Sequence, residues 1–332
     1  MKQALTLALA PSLLALAACA AQAQDGAVVS TPEGALMDAS ADLAYAPGEL
    51  TQTQLTSSTR DLMAMQAMNV FRRFPREVTP DMVRFYTGAL ALRSLNPIQL
   101  TSTQQMILTG VGRAQIKLSA GQPEGRTYAL EGGPTGGKGI RYFSLAYPDK
   151  QAVLDSFAAA GFPAPEFTAQ VDGTEAALVN DPGGFPVQIV IREGAKPYGD
   201  DGVGVGINVS DLETSRAFYR EFVGLDELPA EEDALLGITK YPYRNGETTL
   251  YLYEEGDGAP DTGSAGIQYV VRDAAMVEAK RAERGIRVLT PLNKMRGFDL
   301  ITVWLADPDG VTNYFAQTGP SSRTAQQARA GN

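Results

Sequence analysis

Acid-base chemistry in this chain can fall only to Asp, Glu, Lys and Tyr, because its 332 residues include no His and a single Cys, Cys19. The same two counts exclude a Ser-His-Asp triad, a Cys-His pair, His-ligated zinc or iron, and a disulfide within the chain. Two local spacings invite a chemical reading. From Gly132 to Lys138 the run GGPTGGK has phosphate-loop spacing, but Gly139 follows where Ser or Thr would bind magnesium. A strand-like run at 140–145 then replaces the helix whose N-terminus would hold phosphate. The stretch reads instead as a joint between modules, with a counterpart at 255–266. Met63, Met65 and Met68 have the spacing of a soft-metal site and equally of core filler, the commoner use. With 28 Lys plus Arg against 38 Asp plus Glu, the net charge of -10 repels polyanions at long range, so nucleic acid is not an expected partner.

The two ends read as targeting and tail. Met1-Lys2 and the apolar run 4–18 predict a secretory signal over residues 1–23, too short for a membrane span. Two cleavage readings fit. Leu16-Ala17-Ala18-Cys19 resembles a bacterial lipobox, which would make Cys19 a lipidated N-terminus, and Ala21-Gln22-Ala23 resembles a signal-peptidase site. Both predict export, to the periplasm or as an outer-membrane-anchored lipoprotein whose only membrane contact is the lipid. Residues 24–57, rich in Ala, Ser, Thr and Pro, predict a flexible tether, and 319–332 a solvated tail.

Between the ends, period and turn residues repeat one strand-helix-strand unit. A strand at 203–209 meets a helix start at Ser210-Asp211 and a stop at Gly224, then strands at 235–243 and 248–253 around Asn245-Gly246. The pattern restarts with 267–271, a helix at 274–284, a strand at 300–305, the turn Asp307-Pro308-Asp309-Gly310 and a strand at 312–317. Upstream, 140–145, 149–160, 175–179, the turn Asp181-Pro182-Gly183-Gly184 and 187–191 follow the same order. A first copy is marked by Phe85-Tyr86, matching Phe218-Tyr219, and by a strand at 114–118.

The segment Val205-Gly206-Ile207-Asn208-Val209-Ser210-Asp211-Leu212-Glu213, with Phe218-Tyr219 and Gly224-Leu225 after it, resembles the opening of the vicinal oxygen chelate superfamily. That superfamily includes glyoxalase I, bleomycin-resistance proteins and extradiol dioxygenases. The turn at Asp307 is similar to its final turn. The resemblance implies an α+β fold of paired βαβββ modules in two glyoxalase-like domains, 58–196 and 203–318, each pair curled into a half-open barrel. Whether the barrels close within one chain or in a homodimer stays open.

Such barrels hold a divalent metal on His or Glu from the first and last strands of each module. Carried over, those positions fall on Gly204, Tyr251, Gly266 and Tyr314 in the second half. In the first half they fall on Tyr142, Lys117 and Gln188, with one first-strand position unassigned between Val70 and Phe74. None is an expected ligand, so no cofactor and no metal are expected. Rings at these places would either pack into a closed core or floor a pocket for a flat, partly apolar ligand. Trp304, Tyr269 and Gln268 on neighbouring strands, and Arg296 in the loop that in the family closes over substrate, join that pocket as candidates. Two functions follow: an exported, metal-free module binding a small molecule, or a glyoxalase-type lyase, isomerase or dioxygenase with an unconventional metal site or Tyr/Lys acid-base chemistry.

Overall fold

The computed structural model describes residues 28–30, 36–39, 43–100 and 105–319; the predicted signal, Cys19 and the tail beyond 319 lie outside them. After β1 (Val28–Ser30), β2 (Leu36–Ala39) and α1 (Gln52–Thr56), the chain builds four modules. Module 1 is β3 (Asn69–Phe74), α2 (Thr79–Val83) continuing as a π-helix over Arg84–Ala89, β4 (Arg93–Gln99), β5 (Gln105–Val111) and β6 (Ala114–Ala120). Module 2 is β7 (Gly139–Tyr147), α3 (Lys150–Ala159), β8 (Thr168–Ala169), β9 (Glu175–Asn180) and β10 (Pro186–Ile191). Module 3 is β11 (Val203–Asn208), α4 (Leu212–Arg216) with a π-helix over Ala217–Val223, β12 (Asp226–Glu227), β13 (Glu231–Asp233), β14 (Ile238–Asn245) and β15 (Thr248–Tyr253). Module 4 is β16 (Ala265–Val271), α5 (Ala274–Glu283), β17 (Val288–Met295), β18 (Leu300–Ala306) and β19 (Thr312–Thr318). The side chains of Asp149, Asp211 and Asp273 accept backbone N–H bonds at the starts of α3, α4 and α5, satisfying donors a helix leaves unpaired.

The fold is α+β, with the strands in two large half-open sheets. One has ten strands in the order β1-β2-β17-β18-β19-β16-β3-β6-β5-β4; the other has nine, β12-β14-β15-β11-β7-β10-β9-β8 with β13 on β14. The division expected from sequence, one barrel from 58–196 and one from 203–318, is not how these sheets are built. The strand β3 of module 1 pairs antiparallel with β16 of module 4, and β7 of module 2 with β11 of module 3.

Two joints carry the chain between sheets, and they run side by side. The amide of Lys138 donates to Ala259, that of Asp261 to Lys138, and that of Thr262 to Thr127. The buried carboxylate of Asp261 accepts from the amides of Ala129, Gly263 and Ser264 and from the Ser264 hydroxyl. This is where the phosphate-loop-like glycines act: a Cβ on Gly258 would lie 1.7 Å from the carbonyl oxygen of Gly136. The Nζ of Lys138 donates to the carbonyls of Val209 and Glu255, so the lysine is a structural tie.

Part of the predicted tether is docked. The strand β2 extends the ten-stranded sheet along β17, and α1 lies against α5, where Lys280 donates to the carbonyls of Gln54 and Ser57.

Modules adjacent in sequence are tied through the core by Tyr-Asp pairs. The Tyr86 hydroxyl donates to Asp181 at 3.2 Å, and the Tyr219 hydroxyl to Asp307 at 2.8 Å. Asp181 also has Arg72, bonded at 2.9 Å with both side chains buried. Asp307 forms no ion pair among the described residues, and burial pushes its carboxyl up to about 7. The folded state therefore holds a proton that the unfolded chain, titrating near ~4, releases. Stability from this site is full below ~4 and is lost as pH rises towards ~7. Asp307→Asn should remove this dependence. Urea unfolding at about pH 5 and pH 8 should show wild type losing on the order of 2 kcal/mol relative to the variant at the higher pH; an unchanged difference would contradict it.

Candidate functional site

Sheet register shows which positions face one another. In each module the last-strand position lies opposite a residue two along from its first-strand position: Ser144 opposite Gln188, Gly206 opposite Tyr251 and Gln268 opposite Tyr314. The matching pair in module 1 is Phe71 with Lys117, which makes Asn69 its first-strand position, one residue before the expected span. Counting back from an Asp cap works for modules 2, 3 and 4. Module 1 has no such cap, since α2 starts after Val78 with Pro80 in its first turn.

The eight positions fall into two groups of four. Asn69, Lys117, Gly266 and Tyr314 share the ten-stranded sheet, and Tyr142, Gln188, Gly204 and Tyr251 the nine-stranded one. The expectation that Gly204, Tyr251, Gly266 and Tyr314 line one pocket is therefore corrected: they divide two and two, because the first strands pair across the modules.

On the ten-stranded sheet, aromatic rings pack on one another. Trp304 and Tyr314 have ring centroids 4.7 Å apart, and Phe71 lies 6.4 Å from Trp304. A Cβ on Gly266 would come within 2.0 Å of the Phe71 ring, so the glycine makes the space that the ring fills. The buried Arg73 places its guanidinium 4.5 Å over Phe71. Trp304 and Tyr314 are 5% and 8% exposed, which makes this cluster packing and not the open aromatic floor envisaged. Gln268 accepts from the Asn69 amide at 2.9 Å. Tyr269 points to the opposite, core side, stacked on Phe315 at 4.7 Å and bonded to Asn313, so it lines no pocket. Arg296 sits exposed in the turn between β17 and β18.

The nine-stranded sheet is open on the same side. A cavity of 790 Å³ lies over Ser144, Gln188, Gly204 and Tyr251 and is walled by β13 and β14. Tyr142 lies outside its lining: its ring covers Gly206, where a Cβ would be 1.9 Å away, and packs with Tyr253 and Ile238. Asp233, missed in the sequence, anchors the wall by accepting from Gln188 Nε2 at 2.8 Å and Lys240 Nζ at 3.0 Å. The Lys240 ammonium stands 4.5 Å over the Tyr251 ring. Burial first, then nearby Glu231, pushes the Tyr251 phenol up to about 12, which keeps it protonated near neutrality. At the mouth, Arg192 pairs with Asp201 and Lys196 with Glu247, whereas Arg244 donates to Thr249 at 3.2 Å and makes no ion pair among the described residues. One signal for the wall was available: Lys240 shares the inward parity of Ile238 and Pro242 on its strand.

A metal of the kind held by vicinal oxygen chelate proteins does not fit either set. None of the eight positions supplies a carboxylate or imidazole, and Gln188 is turned to Asp233. Among the described residues no group of three or more His, Cys, Asp or Glu could hold an ion.

Comparison with known proteins agrees with this architecture. Residues 203–315 match the family model of the Glyoxalase/Bleomycin resistance protein/Dioxygenase superfamily. The fold is similar to that of glyoxalase I from Zea mays, 19% identical, with a TM-score of 0.58 over 76% of this chain and 92% of that one. It is similar also to a putative dioxygenase from Bacillus subtilis, 15% identical, with a TM-score of 0.57 over 78% and 86% of the two chains. No curated protein matches the sequence.

The wall pair is testable by stability. Side chains of Lys240 and Asp233 are 11% and 2% exposed, so removing one partner strands a buried charge. Lys240→Met should cost about 3 kcal/mol in urea unfolding, and adding Asp233→Leu should recover much of that loss. A single variant as stable as wild type would contradict the pairing.

Proposed function

We propose, from the match of residues 203–315 to the Glyoxalase/Bleomycin resistance protein/Dioxygenase superfamily model, that the chain is an exported, metal-independent module that binds a small polar molecule. The observation that carries this reading is the 790 Å³ cavity over Gly204, Gln188 and Tyr251, at the strand positions where relatives hold an ion. Its lining is polar and charged, so the ligand favoured is polar and not the flat, partly apolar one expected from a ring floor. Arg192 and Arg244 both act on the ionisation of Tyr251, placing cationic charge near its hydroxyl. With Arg244 making no ion pair among the described residues, a ligand carboxylate is the complementary group. Export rests on the signal over residues 1–23, with Cys19 as the lipid attachment point in the lipoprotein reading.

Calorimetric titration with small mono- and dicarboxylates tests the reading, alongside metal analysis of protein purified without chelator. Saturable binding weakened about tenfold by Arg244→Ala and by Tyr251→Phe, but not by Tyr314→Phe, is expected, since loss of a charge-assisted contact costs roughly that much. Stoichiometric tightly bound divalent metal, or binding indifferent to the first two changes, would overturn it.

A further inference from the structure

The cavity of the nine-stranded sheet carries charge of both signs, four cations and six carboxylates among its lining residues. Three pairs neutralise one another: Arg192 with Asp201, Lys196 with Glu247, and Lys240 with Asp233. Of the other carboxylates, Asp172 accepts from the amide and hydroxyl of Thr174, and Glu232 from the Thr239 hydroxyl at 2.9 Å. That leaves one acid and one base. The side chain of Glu231 forms no hydrogen bond or ion pair among the described residues, and Arg244 forms no ion pair among them. Strand register sets where the two stand. Glu231 on β13 lies opposite Lys240 on β14, and Arg244 follows four residues later on the same face of β14. Their backbones are therefore separated by ~13 Å along the strand. Tyr251, opposite Pro242, lies midway between them. Both charges reach its phenol with opposite sign, Glu231 favouring the protonated form and Arg244 the ionised one.

From this placement, and resting on the binding function proposed above, we infer that the cavity takes a zwitterion: an ω-amino carboxylic acid with its carboxylate at Arg244 and its ammonium at Glu231. The Tyr251 hydroxyl lies between the two ends. A ligand with a carboxylate alone leaves Glu231 as a like charge in the same cavity, and a dicarboxylate brings a second anion beside it. An ammonium at the far end of the ligand turns that repulsion into a charge-assisted contact, so Glu231 selects against simple acids. The separation of the two backbones, less the reach of a Glu and an Arg side chain, suits ligand charges several carbon atoms apart. An α-amino acid, whose charges share one carbon, spans too little.

The test is calorimetric titration of the whole protein with 4-aminobutanoate, 5-aminopentanoate and 6-aminohexanoate, each against the acid lacking the amine (butanoate, pentanoate, hexanoate), and with pentanedioate. At least one of the amino acids should bind roughly tenfold tighter than its amine-free counterpart, the worth of one charge-assisted contact. Glu231 is exposed, so its variants should keep the wild-type melting temperature. Glu231→Gln should erase the preference for the amine, and Glu231→Lys should reverse it in favour of pentanedioate. Binding of the simple acids that depends on Arg244 but gains nothing from the amine would overturn the zwitterion and leave the binding function standing. So would a preference that survives in Glu231→Gln. Absence of saturable binding by every compound would overturn both.

Discussion

Two antiparallel strand pairs, β3 with β16 and β7 with β11, set which modules share a sheet. The first joins module 1 to module 4 and the second module 2 to module 3, so each half-open sheet is built from both halves of the chain. The joints that cross between sheets are held against each other by backbone bonds and the buried carboxylate of Asp261, with glycines where the two backbones touch. Once these pairs form, the positions that meet on each concave side are settled.

The two concave sides then diverge. On one, glycine lets an aromatic ring lie flat on the strand, and Phe71, Trp304 and Tyr314 fill the hollow. On the other, Tyr251 and Ser144 close in on Gly204, the hairpin of β13 and β14 is held out by Asp233 and Lys240, and a polar cavity remains. One pseudo-symmetric framework thus carries a packed cluster and an open site, and the difference lies in which residues stand at the matching strand positions.

Much of this was legible in the sequence because it is local. The Asp-capped helices, the Asp-Pro turns and the strand parity placed Gly204, Gly266, Tyr251, Tyr314, Gln188 and Lys117 correctly on their strands. Asn69 was missed because module 1 lacks the Asp cap that served as ruler. The division of the four candidates between two sheets was not legible, since strand partners are chosen by long-range packing that no period records. The docking of α1 had a signal that composition hid: Thr51 and Gln54 form a capping box. Asp233 and Arg244 belong to the site only because a hairpin from module 3 leans over a sheet shared with module 2, a relation absent from either stretch alone.

The most direct measurement is cysteine cross-linking of the first strands in protein whose Cys19 is replaced. Asn69 and Gln268 are directly opposite across β3 and β16. The pair Asn69→Cys with Gln268→Cys should form an intramolecular disulfide on mild oxidation, seen as faster migration on a non-reducing gel. The pair Asn69→Cys with Ser144→Cys, which would join if modules 1 and 2 shared a sheet, should stay reduced. The reverse result would contradict the account.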